Sequence, residues 1–369
     1  MSTLTGERRQ LIIERAARRA PRSARPVHIW AGVGAVLLTV EIVYTMKWVT
    51  GPDFVPVPTG PDRAPGWMQA ALHTGQIVFP LVALLLGYLL VVRPWRRHRT
   101  VGIDGLLWIA AVLVSVWDPL SNAIQPWFLY NTNLANRGSI LSALPGVLSL
   151  NGKGSGTAWP FFMPSAYVLL LVVVPMIGCA VLRFARRAFP LINNAGLIAV
   201  CIIFMMVVDV VVEGLFFLPL GFCSYAGGWW PVTFGGHYFQ LPLNEMFHVS
   251  LFMATPTLLR YFTDDKAHTF VERGIDAVSG SVKRVSLRAL AVFAWIFVGL
   301  LVTYHVPQMI WAANAHEYPR DVQNRSYFLE RMCGPDVNRA CPGPNVPLSR
   351  PGAGYLDWSH HYVTPEGTR

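Results

Sequence analysis

Apolar residues in this chain gather into seven long runs, separated by polar, basic or glycine-rich segments. The runs cover residues 28–49, 71–92, 102–118, 162–183, 194–218, 239–262 and 288–311. Each is close to the ~20 residues an α-helix needs to cross a ~30 Å hydrocarbon core. None alternates apolar and polar positions over the ~10-residue segments of a membrane barrel. The pattern predicts an all-α membrane protein, a seven-transmembrane-helix bundle. Residues 1–27 read as a basic cytoplasmic head, 28–311 as the membrane domain, and 312–369 as a Pro-rich extracytoplasmic tail that packs partly on the outer surface. No soluble domain and no convincing internal repeat is visible, which lowers the weight of an inverted-repeat transporter.

Composition supports the bilayer reading. The chain is 53% hydrophobic and 14% charged, against about 25% charged in soluble domains. A formal charge of +10 invites a nucleic-acid reading, but the distribution argues against that partner. Arg8, Arg9, Arg15, Arg18, Arg19, Arg22 and Arg25 precede the first run. Arg93, Arg96, Arg97 and Arg99 follow the second, and Arg183, Arg186 and Arg187 the fourth. Arg260, Lys266, Arg273, Lys283, Arg284 and Arg288 lie around the loop between the sixth and seventh. These are alternate loops, the positive-inside arrangement, so the N-terminus is expected inside and the C-terminus outside. The opposite loops hold only Arg63, Arg137 and Lys153. The arginines of the tail fit less well, although most lie beyond the ~15–20 residues that orient a helix. Residues 1–27 are too basic, and the first run too long, for a cleaved signal peptide. The stretch 7–20 is either a solvated positive tail or a short basic helix on anionic lipid.

Inside the runs sit ionisable residues, which are costly in hydrocarbon and mark functional sites by default. With the N-terminus inside, Glu41, His73, Asp118, Asp209, Glu213, Glu245, His248, Tyr304 and His305 all fall in the outer half of the bilayer. Asp104 is the exception. Bundles turn such groups toward an interior or a water-filled cavity, so a polar cavity on the outer side is expected. Asp209 and Glu213 are four apart and share a helix face; two carboxylates in a low-dielectric site do not both ionise cheaply, which supplies a general acid beside a general base. Glu245 and His248, three apart, are candidates for the same acid/base work. Glu-x-x-His is also half of a di-iron signature, but its second copy is missing, so no metal site is expected. Glu41, Asp118, Asn122 and Tyr304 are candidate substrate contacts. Each residue has a plainer reading: Asp118 can cap the turn begun by Pro119, and Glu245 and His248 can be satisfied in the core.

Two long outer loops, 119–161 and 219–238, are rich in Gly, Trp, Tyr and Asn. Such loops can cover a pocket, which makes Trp229 and Trp230 candidate substrate contacts. They can equally be interfacial belt residues. Cys179, Cys201 and Cys223 read as small core residues. Cys333 and Cys341, in the tail, can pair on an oxidising face, and their spacing leaves that open. No phosphate loop, dinucleotide fingerprint, serine-hydrolase elbow or zincin motif occurs. A retinal Schiff base is excluded by the lack of a Lys in the seventh run.

The seven-run layout, together with WDPLSN at 117–122, AWPFFMP at 158–164, DVVVEG at 209–214, GGWWP at 227–231 and LPLNEMFH at 241–248, resembles the AveC-like spirocyclase family of actinobacteria. The likeness covers most of residues 30–310; the head and the tail after about 312 look peculiar to this chain. The resemblance implies a multi-pass enzyme of the bacterial cytoplasmic (inner) membrane that closes a spiroketal on a polyketide, sometimes with dehydration. The substrate would be an apolar polyketide- or lipid-like molecule drawn from the bilayer, with no cofactor needed. Protein partners are left open. The competing reading is a non-enzymatic protein that binds or transports a lipid or small molecule, its carboxylates serving as anchors or proton carriers.

Overall fold

The computed structural model describes residues 26–149, 159–314, 316–343, 346, 354–357, 359 and 361–363. The arginines of the head, Lys153 and the far tail lie outside the described residues. Seven long helices form the bundle: α1 (Pro26–Val49), α2 (Gly66–His98), α3 (Ile103–Asn122), α4 (Phe162–Ala188), α5 (Asn194–Phe217), α6 (Leu243–Tyr261) and α7 (Ser281–Ala312). All but α6 are long and apolar enough to cross a membrane, so the chain is a multi-pass membrane protein. The exception has a physical reason. Helix α6 packs against α4, α5 and α7, and its polar residues are placed against protein rather than lipid.

Proline sets the local geometry of several helices. Pro94, Pro175 and Pro307 each stand two residues past a widened π-helical turn, at Tyr88–Val92, Leu169–Val173 and Leu301–His305. A proline inside a helix offers no N–H and crowds the preceding turn; a wider turn accommodates both. Helix α5 carries a fourth such segment, Val210–Phe217, without a proline. Glycines set the close contacts. At Gly34 a Cβ would lie 2.2 Å from the Leu290 carbonyl oxygen, so α1 and α7 can touch only there without a side chain. At Gly178 a Cβ would lie 2.8 Å from both Met205 and Thr257, so its absence lets α4, α5 and α6 come together in the halves away from the long loops.

At the end of the bundle opposite the long loops, Arg260 of α6 holds Asp104 of α3 through two hydrogen bonds, of 2.6 and 3.2 Å. This accounts for the acidic group that the depth pattern left apart. Glu272 caps the turn begun by Thr269 and receives Arg288 at 2.6 Å.

At the other end the two long loops are knitted together. Strand β1 (Leu129–Tyr130) pairs antiparallel with β2 (Cys223–Ser224), in the register Leu129 to Ser224 and Tyr130 to Cys223. A second short ladder joins β3 (Pro231–Thr233) to β4 (Leu241–Pro242). The tail then packs over both loops: Thr132 N–H donates to the Tyr327 carbonyl at 2.8 Å, the Tyr318 hydroxyl to the Pro126 carbonyl at 2.5 Å, and Tyr238 N–H to Asp321 at 3.0 Å. Cys333 and Cys341 form a disulfide.

Candidate active site

Beneath the β1–β2 ladder lies a cavity of about 80 Å³. Its walls come from the end of α3 (Asp118), from α4 (Phe162, Tyr167), α5 (Glu213, Phe217), α6 (Glu245, Phe252) and α7 (Leu300, Tyr304), and from the two loops (Phe128, Tyr130, Phe222, Tyr225). The bundle therefore brings together three carboxylates from three helices, as the depth pattern predicts, inside a largely aromatic shell.

The polar groups divide into two clusters. In the first, Asp118 receives the Tyr130 hydroxyl on Oδ2 at 2.8 Å and the Tyr167 hydroxyl on Oδ1 at 3.0 Å. A phenol held on each oxygen is the arrangement of an ionised acceptor. In the second, the Tyr225 hydroxyl bridges two carboxyl groups: it contacts Glu213 Oε2 and lies 2.9 Å from Glu245 Oε1. Glu245 also accepts from the Tyr304 hydroxyl on Oε1 at 3.2 Å and from the Gln308 amide on Oε2 at 2.8 Å. Tyr225 packs in a three-ring cluster with Trp127 and Phe128, stacked on them at centroid distances of 5.4 and 4.8 Å. One phenolic hydrogen cannot be donated to two acceptors. Both contacts are hydrogen bonds only if one of the two carboxyl groups carries a proton and donates it to the phenol oxygen.

Several candidates sit elsewhere. Asp209 is 1% exposed and does not line the cavity; among the described residues neither of its oxygens has a hydrogen-bond partner. The sequence spacing puts it near the face of Glu213, one helical turn earlier along α5. Glu213 meets the cavity and Asp209 stays in the helix packing. His248 is likewise turned away. Its Nδ1 lies 3.1 Å from the Thr303 carbonyl, and its Nε2 lies 3.1 Å from the Trp311 indole nitrogen. A carbonyl only accepts and an indole N–H only donates, so His248 is a neutral Nδ1–H tautomer bound to α7. Glu41 is buried behind the site, where it accepts from the Trp117 indole at 3.1 Å.

Asn122 does not reach the cavity. Its amide donates to the Phe128 carbonyl at 2.6 Å, and its oxygen accepts from the Trp127 and Phe128 N–H groups at 3.1 and 3.2 Å. It thereby fixes the turn that delivers Phe128 and Tyr130. Trp229 and Trp230 cluster with Trp311, at 5.5 and 5.8 Å, rather than in the cavity wall. Tyr304 lines the cavity as expected. Tyr130, Tyr167, Tyr225 and Gln308 escaped the sequence reading. Tyr225 stands in the long loop whose aromatic content was the available signal, but a phenol in a loop gives no hint of its depth. Among the described residues no three His, Cys, Asp or Glu side chains form a metal-binding group.

Residues 95–328, more than half of the chain, match the family described as spirocyclase AveC-like. The match starts at Trp95, inside α2, later than the resemblance suggested, and it runs to Phe328. The first part of the tail is therefore shared with the family rather than peculiar to this chain, in keeping with its packing over the loops that carry Phe128 and Tyr225. No curated protein and no solved structure matches the chain. The chain belongs to the spirocyclase AveC-like family.

Proposed function

We propose that the protein is a membrane-embedded acid/base enzyme that closes a spiroketal with loss of water on an apolar, polyketide-like substrate. Family membership and the membrane-spanning helical architecture support a membrane-associated enzymatic role. The observation that carries the finer reading is the bridge Glu213–Tyr225–Glu245 inside an aromatic cavity.

The protein groups have a natural division of labour. Glu245 faces three donors and is served as a carboxylate, whereas Glu213 has the Tyr225 hydroxyl as its one hydrogen-bond partner among the described residues. We therefore place the shared proton on Glu213. In a dihydroxyketone, one hydroxyl adds to the carbonyl carbon and the carbonyl oxygen becomes a hemiketal hydroxyl. Glu213 gives that hydroxyl its proton, the carbon–oxygen bond breaks, and water departs to leave an oxocarbenium ion. The second hydroxyl attacks the same carbon and its proton passes to Glu245. Tyr225 then restores the start: it accepts from Glu245 while it donates to Glu213. Atoms and protons balance, with one water released and no electron transferred. Asp118, fixed by two phenols, is a preorganised negative charge near the developing cation, the kind of electrostatic stabilisation that costs no reorganisation during the reaction.

The proposal also includes seven spans, with α6 as the interior one. Its 19 residues give about 28 Å at the helical rise. An odd number of spans puts the head and the tail on opposite faces, loop charge puts the head inside, and the Cys333–Cys341 disulfide is what an oxidising outer face favours. The host membrane would be the bacterial inner membrane. Residues 1–27 and the tail after 312 remain assigned to opposite faces on loop charge.

A metabolite comparison tests this reading. Cells making the wild-type protein are compared with cells making a Glu213→Gln, Glu245→Gln variant. The variant is expected to lose one metabolite and to accumulate another that is heavier by one water. If the same compound merely changes compartment with no change in mass, the protein is a carrier.

A further inference from the structure

The cavity is small. At about 80 Å³ it is well below the ~300–1,000 Å³ of pockets that enclose drug-sized ligands. A chain-like substrate can place only its reacting segment there, so the rest must leave through an opening. The burial of the walls shows where that opening lies. All the lining residues are buried except four, Ala166, Leu170, Glu213 and Phe217. Two of these belong to α4 and two to α5.

The packing of these helices has the matching shape. Their inner halves, Val174–Ala188 and Asn194–Asp209, pack closely, helped by the Gly178 contact with Met205. Their outer halves diverge: Phe162–Val173 packs on α2, α3 and α6, while Val210–Phe217 packs chiefly on β4. Both divergent segments contain a π-helical turn. Rings bridge the gap at its top, with Phe162 and Phe217 at 6.0 Å and Phe79 of α2 touching both at 5.7 Å. Beside the gap α5 exposes Val211, Leu215 and Phe216, each about half exposed, a surface that suits lipid and not water. The side toward the loops is sealed by Phe128, Tyr130 and Phe222 beneath the tail.

We propose that the gap between the outer halves of α4 and α5 is a lateral portal through which an apolar molecule dissolved in the bilayer enters the cavity. Phe79, Phe162 and Phe217 form its gate, and Glu213 stands at its inner edge as the first polar group an entering substrate meets. The proposal adds a route to the function proposed above, and its test reads labelling rather than turnover, so the two can fail separately.

A native probe is present, because the free thiol of Cys223 lines the cavity. In membranes carrying the wild-type protein, the lipid-soluble N-phenylmaleimide and a charged, membrane-impermeant methanethiosulfonate are compared. Modification of Cys223 is mapped by mass spectrometry, with Cys223→Ala as control and denatured protein as the measure of full labelling. N-phenylmaleimide is expected to modify Cys223 and the charged reagent to spare it. Narrowing the portal with Ala166→Trp, or separately with Leu170→Trp, is expected to slow the lipid-route labelling at least about tenfold, the loss that follows a ~1.4 kcal/mol rise in the entry barrier. Each variant is scored only where it stays monodisperse, and the two-reagent comparison on wild type needs neither. Equal or faster labelling by the charged reagent would show an aqueous mouth and overturn the portal. So would unchanged labelling in both folded Trp variants, or Cys223 reacting with neither reagent until the protein is denatured.

Discussion

Tyr225 contributes one hydroxyl to the site, and that hydroxyl decides how two carboxyl groups relate. Without it Glu213 and Glu245 have no shared partner among the described residues, and in the proposed cycle the proton would have no protein route between them. Tyr225→Phe keeps the ring in its stack with Trp127 and Phe128 and removes only the bridge. Turnover is expected to fall by about 10²-fold, the lower end of the range for a lost proton-transfer group, with little change in substrate binding. Unchanged turnover in the Phe variant would show that the two acids exchange protons through solvent or not at all. Asp209 behaves oppositely. Buried with no hydrogen-bond partner among the described residues, it is a desolvation cost rather than a contact. Replacing a buried unsatisfied polar group with an apolar one of similar shape is neutral or stabilising, so Asp209→Leu is expected to hold or raise the melting temperature in detergent. A clear fall would mean that Asp209 has a partner in the membrane. The sequence made Asp209 and Glu213 the natural pair because four residues return to the same face of an α-helix; the cavity reaches Glu213 and stops short of Asp209, and the depth at which a cavity ends is not written in apolar periodicity.

Among the elements, the helices were legible and the roof of the site was not. A bilayer demands long apolar runs, so five of the seven runs recur as helices within about five residues of their ends. The run that began at 71 starts at Gly66 and continues to His98, and the run that began at 288 starts at Ser281; both extensions carry basic side chains, Arg93–Arg97 and Lys283–Arg284, which an apolar pattern leaves out. Helix α6, placed by the same pattern, is largely buried and carries Glu245 into the cavity. The roof depends on pairing between residues about 95 apart in sequence, Leu129–Tyr130 with Cys223–Ser224, and no local pattern announces so short a ladder. Asn122 is the element that holds it. Although the sequence offered Asn122 as a substrate contact, its side chain serves three backbone groups of the turn at Trp127 and Phe128. Asn122→Ala is expected to cost about 1–3 kcal/mol through the unsatisfied backbone left behind. Activity should fall with it, because Phe128 stacks on Tyr225 and Tyr130 holds Asp118. Stability unchanged by calorimetry in detergent would remove Asn122 from the roof.

For the whole molecule, the site sits wholly at the end that carries the long loops and the tail, while the opposite end is closed by the Arg260–Asp104 and Arg288–Glu272 pairs. That polarity suits an enzyme that takes an apolar substrate from one leaflet better than a pathway that crosses both. It gives the topology functional weight, and topology is directly measurable. A single cysteine at Val232, in the loop before α6, is expected to react with an impermeant maleimide on intact cells. One at Thr100, in the basic loop after α2, is expected to react only after lysis. The reverse pattern would invert the bundle and place the cavity on the cytoplasmic side. The most direct test of the central claim uses the compound, heavier by one water, that the Glu213→Gln, Glu245→Gln cells are expected to accumulate. Incubated with membranes carrying wild-type protein, it should be converted with loss of that water. Membranes carrying Glu213→Gln should bind it equally well and convert it about 10²–10⁴-fold more slowly, the scale of a lost general acid. Normal conversion per bound molecule with binding abolished would make Glu213 an anchor and contradict the acid/base account.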